Sequence, residues 1–169
     1  GGNYVFKAAG ATVLSSARTR EFIQGRTPRQ KAFLLSRGFE LGLDPYLADE
    51  TIADIGELDL GNQRLCLQHL GQAETDDAMA IHVPQEGCVV AGDTVMTGSF
   101  PIFGQPVMNE GLMGTMDWLE TIAALERLQP QHILPGHGPL AYAPDLALLK
   151  RLQRYFLAEV AVRVARQMP

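Results

Sequence analysis

Leu134-Pro135-Gly136-His137-Gly138-Pro139 is the stretch on which the reading of the fold turns. A short apolar run, His132-Ile133-Leu134, feeds straight into an imidazole flanked by glycines, and Gly136 and Gly138 let backbone or ligand come close. The same design recurs upstream. Cys88-Val89-Val90-Ala91 reads as a buried strand, Gly92 permits a sharp exit, and Asp93 follows with its carboxylate expected at the strand's end. Gly71-Gln72-Ala73-Glu74-Thr75 turns away from the strand that ends near Leu70. Open α/β sheets commonly place ligands at such strand ends, so Glu74, Asp93 and His137 are the candidate metal-ligating residues.

Taken singly, each has a bland account. Gly-Asp after a strand is a common turn, Ala-Glu-Thr can brace a turn, and a histidine between glycines can be a plain loop residue. Three of them in this order carry more weight than any one.

The chain length of 169 residues suffices for one core without a staple, and the composition is that of a globular domain. A net charge of −5 and the lack of any Lys/Arg run give no footprint for a nucleic-acid backbone. Cys66 and Cys88 lie inside apolar segments at a spacing unlike C-x-x-C and are expected as free thiols. No apolar stretch reaches the roughly 18–20 residues of a membrane span.

Ala11–Ser15 is β-prone. Ala17–Ile23 and Thr27–Arg37 read as two helices, the second capped by Thr27 with Pro28 in its first turn. Strands are expected at Gly56–Leu60, Gln63–Leu70, Ala78–Val83 and Gly87–Ala91, joined by turns at Asp59-Leu60-Gly61-Asn62 and Pro84-Gln85-Glu86-Gly87. Residues 96–112 have no clean period and read as a long loop, of the kind that often carries function. Phe100, Ile102, Phe103, Met108, Leu112 and Met113 there can line an apolar substrate pocket beside Asp93 or simply tuck onto the core. Trp118, Leu119, Ile122, Leu125 and Leu128 recur at helical spacing over Thr115–Leu128, and Asp145–Gln167 is a long amphipathic helix. His69, His82 and His132 fall on strands and read as packed or surface imidazoles.

With 19 residues from Glu74 to Asp93 and 44 from Asp93 to His137, the chain resembles the metallo-β-lactamase-fold hydrolases over roughly residues 1–140. In that family an H-x-H-x-D-H motif supplies most first-site ligands and is commonly followed by a stretch like Gly1-Gly2-Asn3. A later His-Thr, a Gly-Asp whose carboxylate bridges two metals, and a Pro-Gly-His-Gly complete the site. Gly92-Asp93 and Pro135-Gly136-His137-Gly138 match the last two. The resemblance implies an α/β fold, the αββα sandwich, present in part. Residues 1–141 would be its C-terminal portion, lacking the N-terminal metal-motif segment, and 142–169 a C-terminal helix packed on the domain or starting an extension.

The resemblance further implies two zinc ions per complete site, with iron or manganese as alternatives, held here by Glu74, Asp93 and His137. Asp93 would be the catalytic bridge, Thr75 and Asp77 would orient Glu74, and Phe100 and Phe103 would contact substrate. The implied reaction is hydrolysis of an ester-like bond (sulfate ester, thioester or lactone) in a small molecule by a metal-bound hydroxide, without a protein nucleophile. Two departures stand out. H-x-H-x-D-H is absent, as expected if the chain starts just after it, so weak metal binding and little turnover are expected of these residues alone. Glu74-Thr75 replaces His-Thr, as in the alkylsulfatase-like branch, which typically carries a second Glu where Asp93 stands. A carboxylate for an imidazole adds negative charge, favours hard-oxygen coordination and leaves metal-bound water less acidic. Other readings stay open: a non-catalytic fragment or interaction module of the same fold, an iron-binding redox relative, and a homo-oligomer paired through the C-terminal helix.

Overall fold

The computed structural model describes residues 3–38, 47–53, 55–75, 77–101 and 114–167. The chain divides into two compact units, Gly1–Gly56 and Glu57–Pro169. No helix among the described residues is long and apolar enough to cross a membrane.

In the first unit a short helix, α1 (Asn3–Ala8), precedes β1 (Leu14–Ser16), which pairs in parallel with β2 (Glu50–Ile52). Between them runs α2 (Ala17–Ser36). Its start is set by Ser16, whose fully buried hydroxyl accepts the Thr19 N–H at 2.9 Å, satisfying a donor that the first helical turn leaves free. The two helices expected here are one. Pro28 lies inside α2, where its fixed φ suits the helix and the loss is the hydrogen bond its missing N–H would have made. Thr27 does not cap a new helix; its hydroxyl donates back to the Ile23 carbonyl at 2.6 Å. Lys7 and Asp49 tie α1 to the approach to β2 through an ion pair of 2.6 Å, and the Val13 N–H donates to the Asp49 carboxylate at 2.9 Å.

The second unit is built on a five-stranded sheet in the order β3 (Ile55–Asp59), β4 (Arg64–Gly71), β5 (Ala78–Val83), β6 (Cys88–Met96) and β7 (His132–His137). Both expected turns are present. Asp59 accepts the Gly61 N–H at 2.7 Å, and Pro84–Glu86 form one 3₁₀ turn closed by Gly87 at φ +56°. Strands β4, β5 and β6 are antiparallel neighbours, whereas β6 and β7 are parallel. A parallel pair needs a crossover, and α3 (Gly114–Arg127) provides it. On α3 the helical spacing seen in the sequence buries Trp118, Ile122 and Leu125 against Val89, Ala91 and Ile133 of the sheet.

Beyond β7 the chain doubles back. Ala141 bridges to Ile133, and the Tyr142 ring lies 5.8 Å from that of His132 at the start of β7. From there α4 (Ala143–Tyr155) sets out, with Asp145 accepting the Tyr142 N–H at 2.8 Å and Leu146 and Leu149 in the core. The expected single helix is interrupted by a π turn (Phe156–Ala161) before α5 (Val162–Gln167). Cys66 and Cys88 are free thiols. Burial, and then the nearby Glu86 carboxylate, pushes the Cys88 thiol above its ordinary value.

Candidate metal centre

Strand direction decides which residues share an end of the sheet. β4 and β6 are each antiparallel to β5, and β7 is parallel to β6, so β4, β6 and β7 all run the same way. The Gly71–Thr75 turn that follows β4, the Asp93 segment of β6 and His137 at the end of β7 therefore lie at one common end, the carboxyl end where sheets of this kind bind ligands.

Asp93 and His137 meet there. His137 Nε2 stands 3.4 Å from Asp93 Oδ1, with the two side chains 66% and 47% exposed. Asp93 is not beyond the strand, as expected from Gly92; β6 continues to Met96. Gly92 adopts φ +52° and the pairing with β7 slips on either side of it, so a bulge rather than a strand end turns Asp93 outward. Likewise β7 does not stop at Leu134 but runs through Pro135 and Gly136 to His137. Gly136 is a steric requirement: a Cβ there would collide with Asp93 Oδ1, and with the backbone of Gly92 and Asp93. Gly138, at φ +91°, is pressed against the Thr97 carbonyl in the same way.

Thr97 locks the pair. Its N–H donates to the His137 carbonyl at 3.0 Å and its hydroxyl to the Pro139 carbonyl at 2.6 Å. Behind it, the Trp118 indole N–H donates to the Thr94 carbonyl at 3.0 Å, fixing β6 to α3. Glu74 has a different setting. It is buried, with 9% exposure, beside the fully packed Ala73, and its loop is drawn to α3 by the Thr121 hydroxyl, which donates to the Gln72 carbonyl at 2.5 Å. Among the described residues no three His, Cys, Asp or Glu side chains converge on one metal-sized point. The structure thus brings Asp93 and His137 together and leaves Glu74 on the neighbouring loop. Thr75 and Asp77 are half-buried around it, and Asp76 lies outside the described residues. His69, His82 and His132 join no metal cluster among those residues.

A separation of 3.4 Å exceeds the roughly 2.7–2.9 Å of a charge-assisted hydrogen bond. It matches the edge of a tetrahedron, because two donors at about 2.0–2.2 Å from one zinc stand about 3.3–3.5 Å apart. One imidazole and one carboxylate form an ordinary zinc donor set, so the pair fits two corners of such a site. Next to it opens a cleft of about 510 Å³, walled by Met96, Phe100, Pro139 and the 97–99 segment, with His137 at its edge. Phe100 is set by its ring contact with Phe156, centroids 6.4 Å apart, at the start of the π turn. Phe103 and the other apolar residues proposed for this loop, Ile102, Met108, Leu112 and Met113, fall outside the described residues.

Sequence reasoning missed Thr97 and Thr121 as positioning residues. Thr121 left a trace: a hydroxyl flanked by Trp118, Ile122 and Leu125 on a core face must find an acceptor. Thr97 left none beyond its closeness to Asp93.

No family model and no curated protein matches the chain. Solved structures do. The chain is similar to a metallo-β-lactamase from Pontibacter korlensis, with 19% identity and a TM-score of 0.64 over 91% of this chain and 63% of that one. It is also similar to a metallo-β-lactamase family protein from Thermus thermophilus, with 19% identity, a TM-score of 0.71, and coverage of 100% of this chain and 60% of that one. A third is the metallo-β-lactamase FIM-1 from Pseudomonas aeruginosa in its mono-zinc form, with 18% identity, a TM-score of 0.59, and coverage of 91% and 60%. The chain spans less than two thirds of the length of these structures. The chain has the metallo-β-lactamase fold.

Proposed function

We propose that this chain is part of a di-zinc hydrolase that cleaves an ester-like bond, a sulfate ester, thioester or lactone, in a small molecule. The observation that carries the reading is the spacing of Asp93 Oδ1 and His137 Nε2, 3.4 Å, at the carboxyl end of the sheet. A carboxylate and an imidazole this close, yet beyond charge-assisted hydrogen-bond distance, suit a shared cation. Asp93 would bridge the metals, His137 would hold one of them, and Glu74 would reach the second from its loop, with Thr75 and Asp77 orienting it. When bound, zinc polarises the scissile oxygen and makes water acidic enough to attack at neutral pH. The chain's own residues then hold the donors in place: Thr97 fixes the His137 backbone, and Trp118 and Thr121 fix the two acidic segments against α3. Phe100 and Phe103 would receive the organic part of the substrate.

The test is zinc analysis and hydrolysis of generic esters by the longest natural form containing this chain. The expected result is about two zinc ions per protein with ester turnover, both abolished in His137→Ala. Full activity in that variant would remove the site assignment.

A further inference from the structure

One side of α4 buries Leu146, Leu149 and Gln153, while a second set of apolar residues faces outward. Leu148, Tyr155 and Val162 are 43%, 60% and 40% exposed. They recur every seven residues, the repeat by which one helix presents a seam to another. Single apolar residues scattered over a surface need no explanation, whereas a repeat along one element does. Exposure carries on through the π turn into α5, where Ala158, Glu159, Val162, Arg163 and Arg166 line a groove of about 540 Å³.

The charges beside this seam are laid out for a second copy. Arg151 and Arg154 are exposed, and no Asp or Glu stands three or four positions from either, where a helix makes its own ion pairs. Glu159 is the sole acid after Asp145, and Arg163 meets one of its oxygens at 3.1 Å. Counted from Tyr155, Arg151 stands four residues before and Glu159 four after, just as Leu148 stands seven before and Val162 seven after. The face is therefore complementary to itself when turned end for end about Tyr155, the condition for a two-fold interface. Parallel pairing would instead set Arg151 against its own counterpart, a repulsive contact in the seam.

We propose that two copies of this chain pair through α4, the π turn and α5, antiparallel and two-fold about Tyr155. Leu148 of each copy enters the groove beside Val162 of the other, the two Tyr155 rings meet on the axis, and Arg151 of each reaches Glu159 of the other. Tyrosine and arginine near the centre of an interface are the residue types that most often carry its affinity. The pairing uses neither Asp93 nor His137 and is independent of the hydrolytic reading.

Sedimentation of the full chain over rising concentration should show a monomer–dimer equilibrium. Tyr155→Glu, which sets two carboxylates on the axis, should weaken it at least about tenfold. Arg151→Glu and Glu159→Arg should each weaken it about fivefold. Combined, they should restore it, although the two positions lie about 12 Å apart on one helix and cannot compensate each other within a copy. Mild oxidation reads the same geometry without relying on affinity. Tyr155→Cys should give a disulfide-linked dimer and Leu148→Cys none, because that position lies about 21 Å along the axis from its own counterpart. The unaltered chain, with Cys66 and Cys88 as free thiols, is the control. A chain that stays monomeric at its highest soluble concentration overturns the proposal, as does a dimer indifferent to Tyr155→Glu. So does a dimer that Leu148→Cys locks as readily as Tyr155→Cys, or one that the combined charge exchange fails to restore.

Discussion

Asp93 and Glu74 bear the same functional group, one inside and one just after strands that point the same way, yet Asp93 has a side chain 47% exposed and Glu74 is buried at 9%. The difference lies in what each segment faces. Asp93 sits on a bulge across from Gly136, whose missing Cβ leaves the space that its carboxylate fills. Glu74 sits on a loop reeled in by Thr121, next to Ala73 in the core. A glycine before an acid marks where the chain turns, while the neighbouring element decides whether the acid is presented to solvent. One helix serves both, since Trp118 holds the Asp93 strand and Thr121, three residues on, holds the Glu74 loop.

Removing the shared support should have the largest effect. Trp118→Ala deletes a fully buried ring and its bond to Thr94, and is expected to cost about 3–5 kcal/mol, read from the denaturant midpoint. A loss below about 1 kcal/mol would mean that α3 does not brace the site. Gly136→Ala separates the two halves of the comparison. Overpacking against backbone should cost about 1–3 kcal/mol and lower zinc affinity at least about tenfold by driving Asp93 from His137, without altering amide exchange across Gly71–Thr75. Thr121→Val does the converse. Losing a buried donor to Gln72 should cost about 1–2 kcal/mol, with exchange accelerated in the Glu74 loop and unchanged at Asp93.

Smallest is the effect expected at Asp49, a carboxylate whose partner is a side-chain cation. The hydrogen bond from Lys7, then that from the Val13 N–H, holds its carboxyl below the ordinary 3.8. A depressed folded-state value contributes stability above the unfolded value, and that contribution is lost as pH falls through the folded one. The first unit should therefore loosen below about pH 4, and Lys7→Met should remove that acid limb from the NMR-monitored titration. An unchanged titration in Lys7→Met would show that the pair does not set it.

Much of this arrangement was legible in the sequence. Strands β3, β4 and β5 follow from apolar runs bounded by Asp-Leu-Gly-Asn and Pro-Gln-Glu-Gly turns, and α3 from the spacing of Trp118, Ile122 and Leu125. What misled were residues that usually stop an element. Gly92 reads as the end of β6 but makes a bulge inside it. Pro135 reads as the end of β7 but is tolerated because β7 lies at the end of the strand order, where a missing N–H is not missed by a ladder partner. Pro28 reads as a helix start but sits within α2. Local composition cannot separate these uses, since each depends on which neighbour the backbone group would otherwise have bonded. Of the candidate site, the sequence pointed to Glu74, Asp93 and His137 but not to their unequal burial, to which the bonds from α3 contribute.

Anomalous diffraction at the zinc edge, from crystals of the protein grown with zinc, tests the central claim most directly. The account predicts a peak within about 2.0–2.2 Å of both Asp93 Oδ1 and His137 Nε2. Ordered zinc bound elsewhere, with these two side chains still facing one another and no peak between them, would contradict it.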